Sequence, residues 1–335
     1  MKICLLGEAY GPLDEAMRNT TYYLYRELSK NNEVMVLDLR KTFTVDFWRK
    51  LREFGPDIVH YIHGPTIKSF MLSKAISRYC RHCKIVMSAT RPNITKPFRV
   101  LIPMLKPDLV LVLSQYTENM VKNFGCRTKF FPVGVDTEKF CPMSNKEKTK
   151  LREKYNLDSE KYIVLHIGSI REGRNIRLLK KIQSEDTQVV ILGRTTINVD
   201  SKLYKELKSA GCIVWVEYIK NVEELYAIAD CYAYPTVHRW DWLGRATADS
   251  IEMPMTVLEA MACNLPVVTM KFGALPIFFE EGDGLYFAES ESEFVNAVEV
   301  AKNANVVKTR NKVMPYSWER IAKMLEDVYE DLLKR

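Results

Sequence analysis

Short apolar runs and amphipathic stretches alternate along nearly the whole chain. KICLLG is a compact apolar run ending in Gly, the pattern of a parallel strand covered on both faces. Asn19 to Lys30 then places Leu24 and Leu28 on one helical stripe. EVMVLDL predicts a strand, FWRKLREF an amphipathic helix, PDIVHYIHG a strand and SFMLSKAISRYCRHC a helix. KIVMSAT and DLVLVLS continue the strand series, YTENMVKNFG is a short helix closed by Gly, and TKFFPVGVD ends the run. Residues 141–160 break the pattern. They are charged and poor in large apolar residues, and predict a linker carrying an exposed helix. The alternation then restarts with YIVLHIG, RNIRLLKKIQ, QVVILG, SKLYKELKSAG, CIVWVEYI, VEELYAIAD, CYAYPT, MTVLEAMACN, LPVVTM and SEFVNAVEVAKNA.

Strands alternating with helices predict parallel sheets. The expected fold class is α/β, with two doubly wound Rossmann-like domains at 1–140 and 161–315 facing across a cleft. The amphipathic helix of residues 316–335 is expected to return to the first domain. Ligands of such sheets bind beyond the carboxyl ends of the strands, where helix N-termini favour phosphate.

Composition narrows the classes. In 335 residues, 47% are apolar and 27% charged, which excludes a disordered, collagenous or coiled-coil chain. Lys and Arg total 49 against 42 Asp and Glu, an excess of +7 that suits anionic ligands or an anionic membrane surface. The eight cysteines show no framework. Cys80 and Cys83 form a lone C-x-x-C around His82 without a second pair at zinc spacing, so reduced thiols in the cytoplasm and no metal are expected. The apolar N-terminal run is too short for a signal peptide, and Val100 to Leu113, the richest apolar stretch, is broken by Pro103, Lys106, Pro107 and Asp108.

The candidate chemistry centres on SIEMPMTVLEAMACNLPVV, residues 250–268. Pro254 suits the first turn of a helix, after which Met255, Thr256 and Val257 offer backbone amides to an anion. Glu259 lies one turn past Met255 on the same face, placed to accept two hydrogen bonds from a vicinal diol such as a ribose.

TVLEAMACNLPVV and FPVGVDTEKFCP resemble motifs of the retaining GT-B glycosyltransferases of family four. PDIVHYIHG, LHIGSIREGRNIRLL and VEELYAIADCYAYPT are similar to further segments of that family in the same order, so the resemblance covers nearly the whole chain. It implies transfer of a sugar from a nucleoside-diphosphate donor to an acceptor hydroxyl of a glycan, lipid or small molecule, with retention and without cofactor, metal or nucleic acid. Carried over by position, Glu259 would hold the donor ribose and the amides at Met255 and Thr256 its diphosphate. Gly168 would form the first phosphate loop, and Arg174, in place of a family Lys, would neutralise the leaving group.

The chain departs from the family pattern in four places. Ser169 replaces an Arg beside Gly168. Glu15 and Ala16 replace a Gly-Gly pair. Arg91 falls near a frequent active-site His, and an Arg cannot serve as a base at pH 7. Ile251 stands where the first Glu of a pair is expected, with Glu252 one residue late. Glu252 is nevertheless expected to swing into the site and touch the donor sugar. Gly11, His63, Arg91, His238 and Trp240 are the candidates for the acceptor side of the cleft, and His60 is expected inside, paired to backbone. The departures sustain an alternative, a non-catalytic nucleotide-sugar-binding or regulatory protein. Lys68, Lys74, Arg78, Arg81, Lys84, Arg91, Lys96 and Arg99, interleaved with Phe70, Met71, Phe98 and Leu101, predict peripheral contact with the inner face of a membrane.

Overall fold

The computed structural model describes residues 1–8, 11, 15–91, 93–194, 199–239, 241–242, 247–248 and 250–334, with backbone alone at 96 and 98. The first unit runs β1 (Lys2–Gly7), α1 (Ala16–Leu28), β2 (Glu33–Asp38), α2 (Val45–Phe54), β3 (Ile58–Gly64), α3 (Ile67–Tyr79), β4 (Lys84–Ala89), β5 (Leu109–Val112), α4 (Gln115–Lys122) and β6 (Thr128–Phe130). α5 (Asn145–Lys154) follows. The second unit runs β7 (Tyr162–Ile167), β8 (Thr187–Gly193), α6 (Ser201–Ser209), β9 (Ile213–Val216), α7 (Glu223–Ile228), β10 (Cys231–Tyr234), α8 (Met255–Ala262), β11 (Val267–Met270), α9 (Leu275–Phe278), β12 (Leu285–Ala288), α10 (Glu291–Lys302) and α11 (Thr309–Val313), before α12 (Trp318–Leu333).

Each unit is built on a six-stranded parallel sheet, ordered β2-β1-β3-β4-β5-β6 and β12-β11-β10-β7-β8-β9. The strand order reverses between β1 and β3 in the first and between β7 and β10 in the second. Those reversals open crevices at the carboxyl ends of the strands. Inner strands are largely apolar because helices cover both faces: every residue of β5, β10 and β11 is buried.

α12 leaves the second unit and packs on the first. Trp318 stacks on Tyr23 of α1 with centroids 5.3 Å apart, and Glu326 accepts a hydrogen bond from Asn32. His60, fully buried on β3, is held by Tyr329 of α12 (Nδ1 to hydroxyl, 2.6 Å) and by Ser88 (Nε2 to Oγ, 2.7 Å). Its partners are therefore side chains, not the backbone expected from sequence. Burial lowers its pKa to about 3 and keeps it neutral. The two strands of chain that cross between units are tied together: Val135 N–H donates to Tyr316 O (3.0 Å) and Trp318 N–H to Val135 O (3.2 Å).

Two local expectations are corrected. The stretch 174–183 forms no α-helix but two 3₁₀ turns, Glu172–Arg174 and Ile176–Lys181, broken at Asn175, which adopts φ +55°. α5 is not a free linker helix. Arg152 on it is buried and donates to Ile228 O (2.9 Å) and Asp230 (2.6 Å), while Lys148 donates to Asp230 (2.6 Å). Its charges satisfy the carbonyls at the end of α7, so the helix docks on the second unit.

Candidate active site

The loops that leave β1, β4, β7, β8 and β10 meet at a cavity of about 420 Å³ between the two units. Gly11, Glu15, Ala16, Asn19 and Arg91 line it from the first unit. Gly168, Ser169, Arg174, Arg194, Tyr234, Ser250, Ile251, Pro254, Met255, Thr256 and Glu259 line it from the second.

Gly168 directly follows β7, with its N–H on Leu192 O (3.0 Å). A Cβ there would stand 2.9 Å from His166 Nε2. His166 cannot yield. It is buried near Tyr232 and Tyr234, and its Nδ1 donates to Ala233 O (2.9 Å). Burial takes its pKa down to about 4, so the ring is neutral. Its Nε2 and the Oγ of Ser169 are buried and have no hydrogen-bond partner among the described residues. Ser169 thus brings a neutral hydroxyl to the cavity wall where the resemblance led one to expect a cation.

Arg174 ends the first 3₁₀ turn and reaches into the cavity. Its Nη1 makes a long contact of 3.4 Å to the Tyr234 hydroxyl, which pairs with Ser250 Oγ at 2.9 Å. Thr236 Oγ1 donates to Arg174 O. The end of β10 therefore holds both the backbone and the guanidinium of this residue. Arg171, two residues past Ser169, is not among the lining residues and does not bring a cation in its stead.

α8 begins at Met255, with Pro254 as the residue before it (φ −65°, ψ 119°) and not inside the first turn. Pro254 O accepts from Val257 N–H (3.1 Å) and, at 3.4 Å, from Leu258 N–H. Val257 is fully buried, so its expected part in anion binding is corrected: its amide closes the helix turn. The amides of Met255 and Thr256 precede that bond and belong to residues lining the cavity. Glu259 lines it one turn further on. Its Oε2 accepts from the Tyr226 hydroxyl (2.6 Å), and burial raises its pKa against the opposing pull of Tyr226, Lys139 and Arg194.

Three other candidates are not among the lining residues. Glu252 is 1% exposed, and its carboxylate accepts from Ser114 Oγ (2.6 Å) and Thr117 Oγ1 (2.9 Å) of the first unit. Ile251 takes its place on the cavity wall. His63 turns its Nε2 towards Thr21 Oγ1 and Met17 O, each at 3.3 Å, because β3 ends against α1. Its pKa is lowered to about 4 by burial. His238 stacks on Phe272 with centroids 4.2 Å apart. Trp240 lies outside the described residues. The basic face of the first unit also needs correction, since Phe70 is fully buried in its core. Val100 and Met104, exposed there, and Phe43 and Val45, exposed at the start of α2, went unpredicted, while Met71 and Leu101 are exposed as expected. Lys68 Nζ sits over the Phe43 ring.

Sequence reasoning missed Lys139, Arg194, Tyr234 and Ser250 as cavity residues. Lys139 lies inside GVDTEKF and Arg194 directly follows a strand-ending Gly, so both carried a positional signal. The described residues hold no group of three or more His, Cys, Asp or Glu side chains placed to bind a metal ion.

Residues 162–301 match the family described as glycosyl transferases group 1. Among curated relatives, the chain is 21% identical over 302 residues to alpha-monoglucosyldiacylglycerol synthase of Acholeplasma laidlawii, covering 83% of this chain and 67% of that protein. It is 24% identical over 240 residues to alpha-galactosylglucosyldiacylglycerol synthase of Streptococcus pneumoniae, covering 66% of this chain and 60% of that protein. The chain thus spans about two thirds or less of these relatives. The fold matches that of Anabaena Alr3699/HepE, whose structure was solved in complex with UDP-glucose, with a TM-score of 0.78 at 13% identity, covering 99% of this chain and 100% of that one.

Proposed function

We propose that the chain, whose residues 162–301 match the group 1 glycosyltransferases and which has the GT-B fold, transfers a sugar from a nucleoside-diphosphate sugar to an acceptor hydroxyl with retention at the anomeric carbon. The observation that carries this reading is one cavity lined by Arg174, by Met255 and Thr256 at the start of α8, and by Glu259. The acceptor oxygen bonds to the anomeric carbon as the bond to the diphosphate oxygen breaks. The electron pair of that bond leaves with the diphosphate, which takes up the acceptor's proton. Arg174 and the amides of Met255 and Thr256 meet the charge that grows on the leaving group. Glu259 accepts from the ribose hydroxyls. No metal is needed for this chemistry, because the guanidinium and the amides supply the positive potential.

A lipid or lipid-linked acceptor fits best. Both diacylglycerol-linked relatives support it, and so do the exposed Phe43, Val45, Met71, Val100, Leu101 and Met104 beside basic residues of the acceptor-side unit. No described helix is long and apolar enough to cross a membrane, so contact would be peripheral.

The test pairs a panel of nucleoside-diphosphate sugars with glycolipid and soluble acceptors, in buffer with and without EDTA, and reads the product anomer by NMR. Transfer with retention, unchanged by EDTA, is expected. Inversion or an absolute need for Mg²⁺ overturns the mechanism. Nucleotide binding without transfer to any acceptor favours the second reading, a binding or regulatory protein, for which Ser169, Glu15 and Ile251 in the cavity wall speak. In flotation at low salt, the protein should rise with anionic vesicles; staying in the soluble fraction removes the membrane.

A further inference from the structure

Glu252 is a buried acid that the proposed chemistry does not use, and it joins the two units. Its carboxylate takes both hydroxyls at the start of α4, Ser114 Oγ at 2.6 Å and Thr117 Oγ1 at 2.9 Å. Its N–H donates to Thr90 O of the first unit (2.9 Å), and its own carbonyl accepts from Ala274 N–H of the second (2.8 Å). A Cβ on Gly273, which adopts φ +56°, would lie 2.0 Å from that carbonyl, so the second unit grips this segment closely. Three residues later α8 begins with Met255 on the cavity wall, and Arg91, next to Thr90, lines the facing wall. The segment around Glu252 is thus bonded to one unit, built into the other, and adjacent to both walls.

We propose that Glu252 is a positioning residue: it latches the second unit to Ser114 and Thr117 of the first, sets the width of the cleft, and loosens that latch when it ionises. The idea rests on the cleft being the transfer site. Burial pushes the Glu252 carboxyl up to about 7, while the two hydroxyls pull the other way. Other charged or titratable groups nearby are directed elsewhere: Glu118 of α4 to Lys122 and Thr128, Lys271 to Glu289, His238 onto Phe272, and Arg91 to the cavity wall. A neutral Glu252 keeps both contacts by accepting from one hydroxyl and donating to the other.

The sign follows from which form holds the proton more tightly. Once the cleft opens and Glu252 meets water, its pKa returns to the ordinary 4.5, so the closed form binds the proton more strongly. The ratio of open to closed molecules therefore rises by about tenfold per pH unit between about 4.5 and about 7, and stays level above that. Closure is favoured on the acid side and relaxes as pH rises.

Small-angle scattering from the full chain between pH 5 and 8, without donor or acceptor, tests this. The radius of gyration of the parent protein should grow up to about pH 7 and then hold. Glu252→Gln, neutral at every pH, should stay compact throughout. Thr117→Val should open further than the parent at pH 8, because the ionised carboxylate loses one donor. A parent protein that does not respond to pH, or a Gln variant that traces the parent curve, overturns the latch. A Thr117→Val curve identical to the parent's does the same if the Gln variant fails to fold. The readout needs no turnover, so a chain inactive on every substrate pair would sink the transfer reading while this result still stood.

Discussion

The two units share an architecture, yet their first loops offer a phosphate opposite receptions. After β7 the chain runs through Gly168 and Ser169 into a turn that delivers Arg174 to the cavity. After β1 it reaches α1 through Glu15, with Glu8 at the strand end tied to Arg18 and Arg40. A carboxylate at the head of α1 offsets the positive end of the helix. In the second unit the corresponding place at the head of α8 is taken by Pro254, not a carboxylate. Under the proposed function, a shared parallel-sheet architecture does not decide which crevice takes the anion; the charge placed at the head of each helix does.

The sharpest way to break this contrast is to remove the cation. Arg174→Ala should lower kcat by about 10²–10³ while donor affinity changes far less, since the contact strengthens only as the leaving group gains charge. Steady-state kinetics at saturating donor reads it, and an unchanged kcat would take Arg174 out of the mechanism. Next in size, Glu259→Ala should weaken the free nucleotide by about 10- to 100-fold, equivalent to about 1.5–3 kcal/mol for hydrogen bonds to a charged group. Calorimetry with the nucleoside diphosphate decides this, and equal affinity would show that the ribose sits elsewhere. Gly168→Ala forces a methyl group against the fixed His166 ring; overpacking of about 1–2 kcal/mol should cost about tenfold in donor affinity, with a lowered melting temperature. The smallest effect belongs to the other unit. Glu15→Gln should raise donor affinity by about two- to threefold at low salt and lose that gain at high salt, because the site is exposed and screened.

Much of this contrast could be read from residue order. Alternating apolar runs located both sheets, and TVLEAMACNLPVV located the start of α8 with Glu259 on its inner face. What failed was whatever depends on the partner of a polar atom. Glu252 reads as a displaced sugar ligand in sequence, but Ser114 and Thr117, more than 130 residues away, offer it two hydroxyls in a dry junction. His63 and His238 ended against Met17, Thr21 and Phe272 because strand ends and loops deliver them there, which no local period records. Val257 differs: its amide was miscounted as free because Pro254 was placed inside the helix, whereas as the residue before it, Pro254 supplies the carbonyl that closes the turn. Ser169 and Tyr234 gain their meaning only from burial beside Gly168 and Arg174.

The return of α12 to the first unit bears on synthesis. Tyr23 waits for Trp318, Asn32 for Glu326 and His60 for Tyr329, so these contacts cannot form until almost the whole chain has left the ribosome. The unit translated first is thus completed last. Until then it carries an uncovered apolar seam along α1 and β3, a stage at which newly made chains are prone to stick to one another. The second unit, whose strand pairings all lie within residues 162–288, can fold in the interval.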